Sequence, residues 1–172
     1  MGRPKAQLVF EGETFIARLV RVLGAQFKPV IAVTAQPIAI EGAQNVVNPD
    51  PSRGMLSSLQ CGIRALPAAA EAFVFTPVDI PSVAEQTIEE LATGWSGEPL
   101  RIPRFEGRRG HPVLAARSVA SELVQLPVEA KASDVIHRYA SQTTYVDVDD
   151  PGILRDVDTP ADYEALVGGG RR

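Results

Sequence analysis

Apolar positions along the chain fall into two alternating kinds of segment. Val30–Thr34 (VIAVT), Phe73–Thr76 (FVFT) and Thr144–Val148 (TYVDV) are short and rich in β-branched and aromatic residues, which predicts strands. Leu100–Pro103 and Pro112–Ala115 are weaker strand candidates around a polar, glycine-bearing turn, a pattern that suits an antiparallel hairpin. Helical periodicities lie between them. Thr14–Gln26 sets Phe15, Leu19, Val22 and Leu23 on one face and Arg18 and Arg21 on another. Leu56–Leu66 carries Leu56, Leu59, Ile63 and Leu66 at spacings of three and four. Ser82 and Glu85 have capping-box spacing ahead of a helix that Gly94 stops. Ser118–Leu126 and Ser133–Tyr139 read as shorter helices. Thr159-Pro160-Ala161-Asp162 joins an N-cap, a proline at the first helical position and an acid three residues past the cap. That helix is predicted to end near Val167, leaving 168–172 as a frayed tail.

Strands that alternate with helices predict an α/β fold, with a mostly parallel sheet covered on both faces. The periodic segments run without a long linker, so 1–167 reads as one domain. Ligands of such sheets bind at the carboxyl ends of the strands, which is where the search for chemistry goes.

Composition narrows the classes. The chain has 172 residues, 45% of them hydrophobic and 22% charged, with a net charge of −4. That balance excludes general disorder. A pI near 5.2 argues against a nucleic-acid partner, which calls for a basic face. The single cysteine, Cys61, excludes an intramolecular disulfide and a multi-cysteine zinc site. No apolar run approaches the roughly 18–20 residues that span a bilayer. The first ten residues, MGRPKAQLVF, show no small-residue cleavage site, so no signal peptide is expected and a cytoplasmic location is.

Asp79 is the first candidate for chemistry. The strand FVFT runs into Pro77-Val78-Asp79-Ile80-Pro81, so a lone carboxylate stands where the strand leaves the core. A hard cation such as Mg²⁺ needs only one or two carboxylates when phosphate and water complete its shell. The alternative is that Asp79 caps the next helix, a task Ser82 could also perform. Asp156 and Asp158 are two apart, so in an extended segment both face one way and either could be a second metal ligand. Asp162 reads as a cap, and Asp149-Asp150-Pro151-Gly152 as a solvated turn. Arg3-Pro4-Lys5 is a short basic segment able to meet phosphate charge. Asn48 to Met55 joins a strand to a helix start at Gly54, Ser57 and Ser58, where backbone N–H groups could hold an anion or merely cap the helix. Gly110-His111-Pro112 puts a histidine at the hairpin. No G-x-S-x-G, G-x-G-x-x-G or G-x-x-x-x-G-K-[ST] occurs.

In this order, MGRPK, NPDPSRGMLSSLQCGI, TPVDIP, GRRGHPVL and DDPGILRDVDTPADYEAL resemble the MobA-like NTP transferases over essentially the whole chain. The GHP and D-x-D-T-P elements resemble the molybdenum cofactor cytidylyltransferase branch more than the guanylyltransferases. The resemblance implies a Rossmann-like three-layer sandwich and transfer of a nucleotidyl group from an NTP, CTP by the branch, to a phosphorylated acceptor such as molybdopterin. Pyrophosphate leaves, Mg²⁺ is the cofactor, and a molybdoenzyme or its chaperone is the implied protein partner. By the same resemblance Lys5 contacts phosphate, and Lys5 and Asp79 are catalytic; Arg3, from the basic segment, and Asn48, Gly54 and Ser58, from the helix start, are expected to bind nucleotide with Lys5. Asp79 and Asp158 (or Asp156) hold the metal, and Gly110, His111 and Pro112 face the acceptor. Two other readings stay open: a non-catalytic remnant or binding subunit of the same fold, and a transferase for a sugar phosphate. The family opens with a strand and a glycine-rich loop of the form L-A-A-G-x-S-x-R that this chain lacks ahead of Met1-Gly2. A sheet without its first strand is therefore expected, with Val30–Thr34 short of one pairing partner.

Overall fold

The computed structural model describes residues 4–127 and 129–169. Nine strands and six helices follow in the order β1 (Val9–Phe10), β2 (Glu13–Thr14), α1 (Phe15–Gly24), β3 (Val30–Thr34), β4 (Ala43–Val47) and α2 (Met55–Arg64), counted among the described residues. They continue with β5 (Ala72–Phe75), α3 (Glu85–Ala92), β6 (Leu100–Phe105), β7 (Arg108–Arg109) and β8 (Val113–Ala116). The last are α4 (Arg117–Gln125), α5 (Ala132–Arg138), β9 (Thr143–Asp147) and α6 (Pro160–Gly169). Every helix and strand expected from the pattern is present. α6 runs two residues past the predicted end, so Gly168 and Gly169 are helical rather than frayed, and 170–172 lie outside the described residues.

Period-two alternation in β5 and β9 builds the three layers. Phe73 and Phe75 pack with Ile63, Leu100, Ile102, Val113, Val119, Leu123 and Val135 beneath α2, α4 and α5. Val74 faces the other way, with Leu19, Val22, Val83, Ile88 and Ile153 beneath α1 and α3. Tyr145 and Val146 of β9 divide between the same two cores. A third cluster of Phe10, Phe15, Val157 and Leu166 ties the start of the chain to α6.

The sheet is mixed. β3–β4 and β6–β9 pair in parallel, while β5–β8, β6–β8 and β6–β7 are antiparallel. Antiparallel pairing enters where the chain returns from β6 through β7 to β8 without a helix. Positive φ at Glu106 and Gly107 makes the tight turn of that hairpin. Four strands escaped the sequence pattern: β4 (AQNVV), interrupted by polar Gln44 and Asn45, and β1, β2 and β7, which at two residues each are too short to show alternation.

No ladder joins β3 to β5 among the described residues. Both strands nevertheless lie under the same helices. A Cβ placed on Gly24 of α1 would lie 3.4 Å from Val30, and one on Gly62 of α2 would lie 3.3 Å from Val33. Val30 and Val33 are on opposite faces of β3, so α1 and α2 cover the two faces. The same helices reach β5 through Val22 with Val74 and Ile63 with Phe73. Among the described residues each of β3 and β5 thus keeps one unpaired edge, and all five residues of β3 stay half-buried. Among the described residues, no helix is long and apolar enough to cross a membrane.

Candidate active site

Asp79 sits in the turn that follows β5, and its surroundings are pinned from three sides. Ile80 and Val83 are buried and anchor the segment to the core. The Asp79 carbonyl accepts the Val157 N–H at 2.8 Å, which lashes this turn to the extended stretch before α6. Arg18 of α1 donates through Nε to the Pro81 carbonyl at 2.8 Å, while its guanidinium pairs with Glu11 and lies over the Phe10 ring. Pro77 and Pro81 have no N–H to satisfy, so the chain turns without a ladder. Capping is not the role of Asp79. The carboxylate of Asp150 takes the Ala84 N–H and the Thr87 hydroxyl at the start of α3, each at 2.8 Å. Ser82 does not cap α3 either, because the helix begins at Glu85, and its hydroxyl turns to the Gly152 carbonyl instead. Asp150, expected in a solvated turn, is only 7% exposed, because these donors and the Gly152 N–H converge on it.

Lys5 reaches Asp79 from the start of the chain. Pro4 opens a short 3₁₀ turn over Lys5–Gln7, closed by the Leu8 N–H on the Lys5 carbonyl at 3.0 Å. Docking of Phe15 against Tyr163, and of the Tyr163 hydroxyl on the Val9 carbonyl at 2.8 Å, brings this segment beside α6. The ammonium then donates to Asp79 Oδ2 at 3.0 Å and to Asp158 Oδ1 at 2.5 Å. Burial alone would lower the Lys5 pKa, but the bonds to Asp158 and Asp79 outweigh it and hold the ammonium above its ordinary value. Asp156 and Asp158 are both exposed on either side of the buried Val157, and it is Asp158 that meets the lysine. Asp162 is the cap foreseen for it, accepting the Thr159 N–H at 2.7 Å and the Asp158 N–H at 3.1 Å.

The histidine loop is fixed at the carboxyl end of β5, where Phe75 is the last strand residue. The Gly110 N–H bonds the Pro103 carbonyl and the His111 N–H bonds the Ile153 carbonyl, both at 3.0 Å. A side chain at Gly110 would run into Ile153, so only glycine lets the loop approach. Pro112 is buried, and the His111 ring meets the edge of Phe75 with centroids 6.3 Å apart. Its Nδ1 is buried and has no hydrogen-bond partner among the described residues. Burial lowers the His111 pKa, partly offset by the Phe75 backbone and the charge of Asp79, and so favours the neutral imidazole.

The loop between β4 and α2 stands apart. Asn48 is 3% exposed and spends its amide on Ser57 and Ser58, at 2.8 and 3.0 Å, while its Oδ1 accepts the Asp50 N–H. Gly54 takes φ 78°, a conformation that favours glycine, and opens α2 with no side-chain cap among the described residues. Among the described residues, no hydrogen bond or ion pair connects this loop to Lys5 or Asp79. Arg3 lies outside the described residues.

The cluster suits a hard divalent cation. Two carboxylate oxygens, from Asp79 and Asp158, converge on one positive charge at 3.0 and 2.5 Å. Among the described residues, no group of three or more histidine, cysteine, aspartate or glutamate side chains could hold a metal. A two-carboxylate seat leaves positions for phosphate oxygens and water, as Mg²⁺ requires.

Known proteins share this plan. A family model for the MobA-like NTP transferase domain matches residues 1–143. The chain is 29% identical over 143 residues to a "Probable molybdenum cofactor guanylyltransferase" of Bacillus cytotoxicus, spanning 77% of this chain and 70% of that protein. It is 25% identical over 118 residues to the molybdenum cofactor cytidylyltransferase of Escherichia coli K12, spanning 67% of this chain and 58% of that protein. The crystal structure of Rv0371c from Mycobacterium tuberculosis H37Rv superposes with a TM-score of 0.82 at 23% identity, covering 98% of this chain and 91% of that one. Its manganese complex superposes at 0.79 with 25% identity, covering 97% and 93%. With the family match running over most of its length, the chain belongs to the MobA-like NTP transferase domain family of nucleotidyltransferases.

Proposed function

We propose that this protein is a Mg²⁺-dependent cytidylyltransferase that moves the CMP group of CTP onto the phosphate of molybdopterin, with 1–167 working as one domain in the cytoplasm. The observation that carries the reading is the convergence of Lys5, Asp79 and Asp158, from three distant parts of the chain, beyond the carboxyl end of β5. Cytidylyl rather than guanylyl transfer rests on the GHP and D-x-D-T-P elements, since the relatives include both kinds.

The bound metal would neutralise charge on the triphosphate. Lys5 adds its positive charge to the phosphates as the acceptor oxygen bonds to the α-phosphorus. The bond from that phosphorus to the bridging oxygen breaks in line, and pyrophosphate carries away the electron pair. Asp79 and Asp158 act by position, because such transfers depend on alignment and electrostatics rather than on covalent help. The neutral imidazole of His111, on the Phe75 side of the site, offers a hydrogen bond to the acceptor without adding charge. The product implies a molybdoenzyme or its chaperone downstream.

A second reading, binding without turnover, draws on the unpaired edges of β3 and β5. Pyrophosphate release from CTP and from GTP, with and without molybdopterin, separates the two. Asp79→Asn should lower that release by about 10²–10³-fold, the effect of removing one charge-stabilising group. Unchanged metal-dependent release in the variant would overturn the assignment.

A further inference from the structure

We infer that Lys5 occupies the cation seat between Asp79 and Asp158 when no nucleotide is bound, so a divalent metal alone must compete with it. The inference rests on the reading of this cluster as a metal-dependent transfer site. The geometry is that of an internal counter-ion. One ammonium bonds both carboxylates, and among the described residues no other cation touches either. Asp162, the nearest further carboxylate on α6, is committed to Thr159 and the Asp158 N–H. Two carboxylates and one ammonium leave a local charge of −1. Without the ammonium it would be −2, a stronger seat for a dication.

Lys5 is also free to leave. Its side chain is 31% exposed and that of Asp158 61%, so neither ion pair is locked in the core. An ammonium has three N–H groups, and two serve the carboxylates here. A phosphate presented to the third would draw the ammonium outward and open the carboxylates to the metal that accompanies it. Metal and phosphate would then arrive together, and metal alone would bind poorly.

The test is Mn²⁺ binding, read by the fall of the free-ion electron paramagnetic resonance signal at fixed pH and ionic strength. Lys5→Met should bind Mn²⁺ alone about three- to tenfold more tightly than the unmodified chain, as expected for release from two partly exposed ion pairs. Asp158→Asn should bind it more weakly than either. Pyrophosphate should raise Mn²⁺ affinity by a larger factor in the unmodified chain than in Lys5→Met, because only there must a lysine be displaced. Lys5→Gln repeats the comparison with a polar side chain should the methionine variant melt early. Unchanged or weaker Mn²⁺ binding by the folded Lys5 variants overturns the inference. The proposed reaction, in contrast, stands or falls on pyrophosphate release by the Asp79 variant.

Discussion

Lys5 and Asp158, 153 positions apart in the chain, meet as an ion pair of 2.5 Å beside Asp79. The pair closes the site between the first described turn and the segment that leads into α6. A cation so placed should act on phosphate and not on the base. Lys5→Ala is expected to weaken binding of CTP and of pyrophosphate by similar factors, about tenfold or more for a lost charge-assisted bond. The preference for CTP over GTP should stay as it is. Isothermal titration with the three ligands checks this, and a change of base preference at constant pyrophosphate affinity would contradict it.

Asp150 makes a second prediction, for stability. Its buried carboxylate accepts the Ala84 N–H, the Thr87 hydroxyl and the Gly152 N–H, each at 2.8 Å. Alanine would strand those donors, and one unmet buried group costs about 1–3 kcal/mol. Asp150→Ala should therefore lose about 3 kcal/mol in urea unfolding. A loss within about 0.5 kcal/mol, ordinary for a surface change, would mean that water replaces the carboxylate.

His111 sets a pH dependence whose sign can be stated. Its pKa is lowered from 6.5 by burial, so below that value the unfolded chain takes up a proton that the folded chain refuses. Stability from this group is whole above pH 6.5 and falls as the pH drops towards the depressed folded value. Carboxylates such as Glu98 and Asp162, held low by their own bonds, contribute losses only at more acid pH. The urea midpoint should drop between pH 7 and pH 5.5, and His111→Gln should reduce that drop. An equal drop in the variant would remove His111 as its source.

Local chemistry wrote much of this protein into its sequence. Helices α1 and α2 follow from three- and four-residue apolar spacing, and α6 from the Thr159-Pro160-Ala161-Asp162 start, whose Asp162 carboxylate accepts the Thr159 N–H. Strands β3 and β5 follow from dense β-branched and aromatic runs, because both faces of the sheet are covered. Asp79 was legible for the same reason: a carboxylate directly after a core strand has few structural tasks. What lay beyond the sequence is whatever depends on contacts between distant segments. Asp149-Asp150-Pro151-Gly152 reads as a solvated turn, yet α3 arrives over it and buries Asp150 as a cap. Asp156 and Asp158 were equivalent by spacing. Only the docking of the first turn onto α6, through Phe15, Tyr163 and Val157, brings Lys5 to Asp158. Periodicity reports which face of an element is apolar, whereas burial of a charge is decided by what packs across from it, and that is a property of the tertiary structure.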